Sequence, residues 1–393
     1  MSESLPPRLA IVLSHPTQYY SPWFRWLAAQ GHLTVRVFYL WDFGVTARHD
    51  PGFGATFKWD VDLLSGYEHE FVPNAARDPG THHFRGLNNP TLKLRLAAWG
   101  PDAVLLFGYK FLTHLRLILR SPWPLIFRGD SHLLGQPSPA WLKKILLTRL
   151  YARFAAITYV GQANRAYFRA FGVPESKLFF APHCVDQAHF TPTAELRAAA
   201  ARLRDQLGLT GHRIVLFAGK LVPAKQPRAL LEAFLQIQSP GTALVFVGEG
   251  EERSALTALA AQHSTAAVRF LPFANQSEMP VRYLLADIFV LPSRGFYETW
   301  GLAVNEAMHL GVPCLVSDRV GCQQDLVTDG ETGWVFRADS ADQLRGALGR
   351  ALADTSAQAD RLSRQASARA AGYSYAAAAA GLEAAVAGTR PSP

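Results

Sequence analysis

The feature that most constrains this chain is a recurring alternation. Short, continuously apolar runs are separated by amphipathic segments rich in Ala, Leu and Arg. The runs LAIVLS (9–14), VRVFYL (35–40), AVLLFG (103–108), PLIFRG (124–129) and AITYV (156–160) form one series. After Leu207 a second begins, with IVLFAG (214–219), ALVFVG (243–248), VRFLP (268–272), IFVLP (288–292) and PCLVS (313–317). Continuous apolar strands with helices between them indicate parallel sheets covered on both faces. Two series in 393 residues imply two doubly wound Rossmann-like α/β domains, with ligands at the carboxyl ends of the strands. The division predicted is 1–190, 191–370 and a C-terminal helix in 371–393 that returns toward the first domain, with a frayed end.

Composition narrows the class. The three cysteines, Cys184, Cys314 and Cys322, show no metal spacing and cannot all pair, which suits a reducing cytosol. The apolar run near the start spans only Leu9 to Leu13, a strand rather than a signal-peptide core. No eighteen-residue apolar stretch suggests a spanning helix. Residues 1–190 hold 20 Lys+Arg and 12 Asp+Glu, a balance of +8, whereas residues 191–393 hold 19 of each. The basic first half points to an anionic partner, of which a membrane surface is one and nucleic acid another. No nucleic-acid-binding motif accompanies the charge, so nucleic acid is not expected.

The stretch ETWGLAVNEAMHLGVPCLVSD, Glu298 to Asp318, sets two glutamates eight residues apart in mostly apolar surroundings. Gly311 and Pro313 end a helix that starts near Trp300 or Gly301. Glu298 then lies in the loop before the helix and Glu306 within it, roughly 12 Å apart at the helical rise. That separation is too great for an acid/base pair or a shared metal. It suits two ends of one extended ligand, with the helix N-terminal N–H groups facing an anion between them. In IVLFAGKLVPAKQPRALLEAF, a strand ends at Gly219 and a loop carries Lys220 and Lys225 ahead of a helix. Lysines there are unfavourable beside the helix dipole unless an anion neutralises them. On a diphosphate they would stabilise a departing nucleotide. Solvated loop lysines are the plain alternative. Gly248 and Gly250 resemble a dinucleotide turn, but Arg253 stands where a third glycine belongs, which weakens a nicotinamide reading.

The ordered set GK-x4-K, VGEG, PF-x6-P, ADIFVLPS, E-x7-E, GVPCLVSD and GETGWVF resembles the retaining family-4 glycosyltransferases of the GT-B fold. Residues 211–340 carry the specific part of that resemblance. It implies a sugar transfer from a nucleotide-diphosphate donor to a glycan or lipid-linked acceptor, by front-face substitution and without metal or cofactor. By resemblance, Glu306 takes the ribose hydroxyls and Glu298 the donor sugar. Trp300, Gly301 and Leu302 lie by the sugar and phosphates, and Lys220 and Lys225 meet the diphosphate. Lys220 replaces the family's usual arginine and loses its fork-like contacts. The Phe273 to Asn275 segment resembles the stretch that contacts the base, with Gly219, Gly248 and Gly250 lining the donor cleft through their backbone. The resemblance also implies a histidine near the reacting sugar, here His132, with a structural histidine as the alternative; Asp130, two residues before it, is expected to orient it and to be among the acceptor contacts.

The first domain is expected to bind the acceptor. In SHPTQYYSPWFRWLA, His15, Gln18 and Tyr19 stand where the family often has a glycine-rich loop, and helix packing is the competing account. WLKKILLTRLYARF, Trp141 to Phe154, reads as a basic amphipathic helix, apolar at 142, 145, 146, 150 and 154. Such a helix lies in a membrane interface or is an ordinary domain helix. The expected setting is therefore cytoplasmic, peripheral on the inner face of a membrane, in surface-polysaccharide assembly. Competing readings are another GT-B sugar-nucleotide enzyme, such as an epimerase, and a non-catalytic protein that binds anionic surfaces.

Overall fold

In the computed structural model the described residues are 5–45, 48–50, 55–237, 239–263, 265–295 and 298–389. The strands are β1 Arg8–Leu13, β2 Thr34–Tyr39, β3 Arg48–Asp50, β4 Ala55–Phe57, β5 Glu68–Phe71, β6 Ala103–Phe107, β7 Leu125–Arg128, β8 Ala156–Tyr159 and β9 Leu178–Phe180 in the first half. In the second half they are β10 Arg213–Ala218, β11 Thr242–Val247, β12 Ala267–Leu271, β13 Ile288–Leu291, β14 Cys314–Ser317 and β15 Gly333–Phe336. One sheet has the order β5-β2-β1-β6-β7-β8-β9 and the other β12-β11-β10-β13-β14-β15. All pairings within these two sheets are parallel; only the small β3–β4 hairpin is antiparallel. All ten strand segments expected from apolar runs are present. The strands β5, β9 and β15 and the hairpin are additions.

Each sheet is buried on both faces, which is why its central strands tolerate no polar alternation. Leu9, Ala10, Ile11 and Val12 of β1 are fully buried, as are Ile214, Val215, Leu216 and Phe217 of β10. In both sheets the order reverses beside the first strand, so loops from its two sides part and leave a crevice there. The two crevices face each other, and residues from both line a single cavity.

The chain crosses back at its end. The long helical segment Ala341–Ala371 packs on the second sheet, through Leu344, Leu348 and Leu352. The final helix, Tyr375–Ala387, buries Ala378, Ala379, Leu382 and Ala385 among Leu9, Ile11 and Ile126 of the first sheet. Part of the segment expected to be frayed, 390–393, lies outside the described residues. Small residues let this helix approach closely. A Cβ on Gly381 would come within 1.7 Å of the Phe180 carbonyl oxygen in β9. Gly381→Ala should therefore push the helix off β9 and cost about 1–3 kcal/mol, as overpacking does. Urea denaturation of the variant beside the parent protein measures that loss.

Candidate active site

The cavity between the domains has a volume of about 500 Å³. Lys220, Lys225, Glu298 and Glu306 all line it, together with Gly219, Gly248, Phe273, Trp300, Gly301 and Leu302. From the first domain come Gln18, Tyr19 and Asp130.

The helix Leu302–His309 begins after Gly301, whose φ of 101° is left-handed. Gly301, Leu302 and Ala303 at its start line the cavity, and the first-turn N–H groups of a helix favour an anion. Glu298 precedes it and is held at three points. Lys225 Nζ donates to Oε2 of its carboxylate, Ser293 Oγ donates to the same oxygen at 2.8 Å, and His132 Nε2 donates to its backbone carbonyl at 3.1 Å. An ammonium has three donors, so Lys225 keeps capacity for phosphate oxygens while paired with Glu298.

Glu306 is only 3% exposed. Its carboxylate accepts from Tyr283 Oη at 2.6 Å and from Gln276 Nε2 at 3.2 Å. Burial raises its pKa, and these hydrogen bonds oppose the rise. Tyr19 stands against it across the cleft: burial first, and the Glu306 charge second, push the Tyr19 hydroxyl well above its ordinary range. The residue expected among acceptor contacts thus meets the second domain's glutamate instead.

Four other expectations change. His132 is buried and does not line the cavity. Its Nδ1 accepts the Leu134 N–H at 3.1 Å while Nε2 donates to the Glu298 carbonyl, so both ring nitrogens are committed and the ring acts as a brace. Asp130 does not orient it. Asp130 Oδ2 accepts from Thr299 Oγ1 at 2.7 Å and lies 3.5 Å from Nε2 of His183, a cavity residue that no motif signalled. Burial works against the Asp130 carboxylate, but His183 and Thr299 outweigh it and hold its pKa below the usual carboxylate range. His15 is turned away, bonded to Ser14 and packed edge-on against Trp41 and Phe43, which explains it as packing. Asn275 points at the first domain, donating to the Lys58 carbonyl at 2.9 Å, while its neighbours Ala274 and Gln276 line the cavity.

The glycines act through close approach. A Cβ on Gly248 would lie 2.1 Å from the Gly219 carbonyl oxygen, so that residue lets two strand-end loops pack side by side. Gly250 is outside the cavity lining and serves the Leu221 backbone, 2.4 Å from its own would-be Cβ. Neither forms a dinucleotide turn, and Arg253 Nη1 instead ties the loop by donating to the Gly248 carbonyl at 2.8 Å.

Among the described residues one cluster has metal-ligand spacing, Asp78 with His82 and His83, and none of the three lines the cavity. An Asp-x-Asp triplet occurs at Asp60–Asp62, but its carboxylates are committed elsewhere. Asp60 accepts from Ser277, and Asp62 accepts from the Leu64 and Ser65 N–H groups.

Comparison with known proteins places this geometry. The family model of glycosyl transferases group 1 matches residues 200–369. The likeness to that family is confined to this segment. Among relatives, a GDP-mannose-dependent alpha-(1-6)-phosphatidylinositol monomannoside mannosyltransferase of Mycolicibacterium smegmatis is 32% identical over 206 residues, covering 50% of this chain and 53% of its own. A D-inositol 3-phosphate glycosyltransferase of Nocardia farcinica is 34% identical over 240 residues, covering 58% and 51%. The chain thus spans about half the length of the curated relatives it matches. Among solved structures, sucrose-phosphate synthase from Thermosynechococcus elongatus superposes with a TM-score of 0.71 at 19% identity, covering 96% of this chain and 97% of that one. Anabaena Alr3699/HepE in complex with UDP gives 0.72 at 18% identity, covering 96% and 99%. The chain has the GT-B fold, and the matched segment contains Lys220, Lys225, Glu298 and Glu306.

A buried carboxylate with a raised pKa costs stability wherever it is ionised. The folded pKa of Glu306 lies above its unfolded value. Its contribution is therefore fully present below the unfolded value and lost as pH rises through the folded one. Glu306→Gln should match the parent at pH 4. At pH 8 it should be the more stable of the two. Thermal or urea unfolding across that range checks the sign.

Proposed function

We propose that the protein is a retaining glycosyltransferase that moves a sugar from a nucleoside-diphosphate donor to a glycan or lipid-linked acceptor without a metal ion. The observation that carries this reading is the convergence of two lysines and two glutamates from separate loops on one interdomain cavity. The group 1 match supports the sugar-nucleotide assignment.

On this reading Glu306, held by Tyr283 and Gln276, accepts hydrogen bonds from the ribose. Lys220, Lys225 and the N–H groups of Leu302–His309 bind the diphosphate, and Glu298 meets the donor sugar. As the bond from the sugar's anomeric carbon to the phosphate oxygen breaks, negative charge grows on that oxygen. The ammonium groups and helix N-terminus stabilise it. The acceptor oxygen bonds to the same face of the anomeric carbon, and its proton passes to the departing phosphate. No side-chain nucleophile is required. Asp130 and His183, on the first-domain wall, are placed to hold acceptor hydroxyls.

Two variants separate binding from chemistry. Glu306→Gln should raise the dissociation constant of the preferred nucleoside diphosphate about ten-fold, the scale of one lost charge-assisted hydrogen bond. Glu298→Gln should lower kcat about a hundred-fold, in the range of a lost electrostatic stabiliser, with little effect on nucleotide affinity. A thermal-shift panel of UDP, GDP, ADP and dTDP identifies the base first. Failure of all four to shift the melting temperature would refute the enzyme reading.

The acceptor side carries a second indication. In the helix Trp141–Ala152 the residues turned to the core are Leu147 and Tyr151. The expected stripe at 142, 145 and 146 faces outward instead. Trp141 is 70% exposed and Leu146 64%, with Leu142 and Ile145 also exposed beside Lys143, Lys144 and Arg149. No helix among the described residues is long and apolar enough to cross a membrane. An apolar face ringed by cations fits the surface of an anionic bilayer, and a membrane-borne acceptor would then be presented to the first domain. At low salt the protein should sediment with phosphatidylglycerol vesicles and not with phosphatidylcholine vesicles, and Leu146→Glu should abolish sedimentation. Equal recovery with both lipids would argue against the surface.

A further inference from the structure

The excursion between β2 and β5 stands outside the parallel sheet, yet it reaches the second domain at two points. Asn275 Nδ2 donates to the Lys58 carbonyl at 2.9 Å. The Ser277 N–H donates to the Asp60 carboxylate at 3.2 Å, and the Ser277 hydroxyl donates to the same group. Trp59 lies between these anchors and lines the cavity, as do Phe273 and Gln276 from the loop it meets. Its indole is backed by Gly44, where a Cβ would come within 3.2 Å of Trp59 Cδ1.

We propose that Trp59 is a donor-binding residue supplied by the opposite domain: its indole caps the nucleobase, and Asp60 with Asn275 are the positioning residues that hold it there. The proposal rests on the nucleotide-sugar reading above. The anchors explain why Trp59 is at the base end of the cavity. They fasten it to the loop that begins at Phe273, while the phosphate-binding lysines come from another loop. An indole offers a flat apolar face and one N–H donor, so it strengthens binding of any base by stacking and discriminates little between bases. A tryptophan that only joined the domains would not need to face the cavity, since the flanking hydrogen bonds already make the join. Both anchors are solvent-exposed, and hydrogen bonds there are individually weak. The clasp can therefore open to exchange nucleotide.

Isothermal titration calorimetry of the full chain tests this, with UDP, GDP, ADP, dTDP and inorganic pyrophosphate as probes. Trp59→Ala should weaken the nucleoside diphosphate that the parent binds about ten-fold, the scale of one lost base–aromatic stack. It should leave pyrophosphate binding unchanged. Trp59→Phe should recover most of the affinity, and Asp60→Ala should lose about three-fold. Lys225→Ala is the control and should weaken both classes of probe. If Trp59→Ala binds the nucleotide like the parent while Lys225→Ala does not, the clasp is refuted and the nucleotide site stands. Equal loss of nucleotide and pyrophosphate in Trp59→Ala also refutes it, since a base cap does not touch phosphate. A parent protein that binds none of the four nucleotides overturns both readings together.

Discussion

The position of Glu298 is the constraint on which the site depends. Its carboxylate is fixed by Lys225 and Ser293 of its own domain, and its backbone carbonyl by His132 of the other. The next residue, Thr299, donates to Asp130 across the same cleft. Two consecutive residues thus tie the second domain to the first at the mouth of the cavity. Further from the mouth, both oxygens of Asp325 accept from the Gln162 N–H, at 3.1 and 2.9 Å. A Cβ on Gly161 would also come within 2.3 Å of the Trp300 ring. Loosening any of these would move the Glu298 carboxylate, and on the proposed function that carboxylate sits beside the reacting sugar, where errors of an ångström are costly.

The cavity is expensive to maintain. Glu306 is buried with its pKa displaced upward. Lys225 and Glu298 are partly desolvated, their side chains 24% and 11% exposed. Pairs of this kind contribute little net stability, because desolvation offsets their attraction. Nothing in the packing of the second core, built on Ile214, Leu216, Val245 and Phe289, requires charges at its edge. Their placement makes sense as preorganisation for a ligand that is itself charged at one end and rich in hydroxyls at the other. The same logic accounts for the contrast between the fixed floor and the exposed Lys58–Asp60 contacts. The floor must not move, and the rim must.

Much of the scaffold could be read in advance because its physics is local. A strand buried on both faces is a continuous apolar run, and all ten such runs are strands, the half-buried edge strand β12 included. The strands that escaped are those for which that rule fails. β5 is the charged edge segment EHEF; β9 is three residues long and half exposed; β15 starts at a glycine. Of the second domain's cavity residues, Lys220, Lys225, Glu298 and Glu306 could be picked out by motif order, whereas Gln276 and Tyr283, which hold Glu306, could not. Those of the first domain were harder to read, since they sit on loops without periodicity. Asp130 and His132 lie two residues apart after β7, and only the course of the loop decides that one lines the cavity and the other braces Glu298. His183 and Trp59 carry no pattern at all, because contacts distant in sequence bring each to the cleft: His183 packs against Trp300, and Lys58 beside Trp59 bonds to Asn275. The helix at 141–152 was readable as basic and amphipathic, but which face meets the core depended on the neighbours of Leu147 and Tyr151.

The uneven charge acquires a physical sense from this arrangement. The whole excess of +8 lies in residues 1–190, whereas on the proposed function the donor's diphosphate is held by the lysines of the second domain. The first domain's cations therefore cannot be explained by the nucleotide. Lys143, Lys144 and Arg149 sit beside the exposed apolar face of Trp141, Leu142, Ile145 and Leu146. In water, that combination exposes apolar area to no benefit. Against an anionic bilayer it gains from apolar burial and from charge together. On the proposed function, a fold whose two domains meet at one cleft can thus keep the nucleotide on one side and draw its acceptor from a surface on the other.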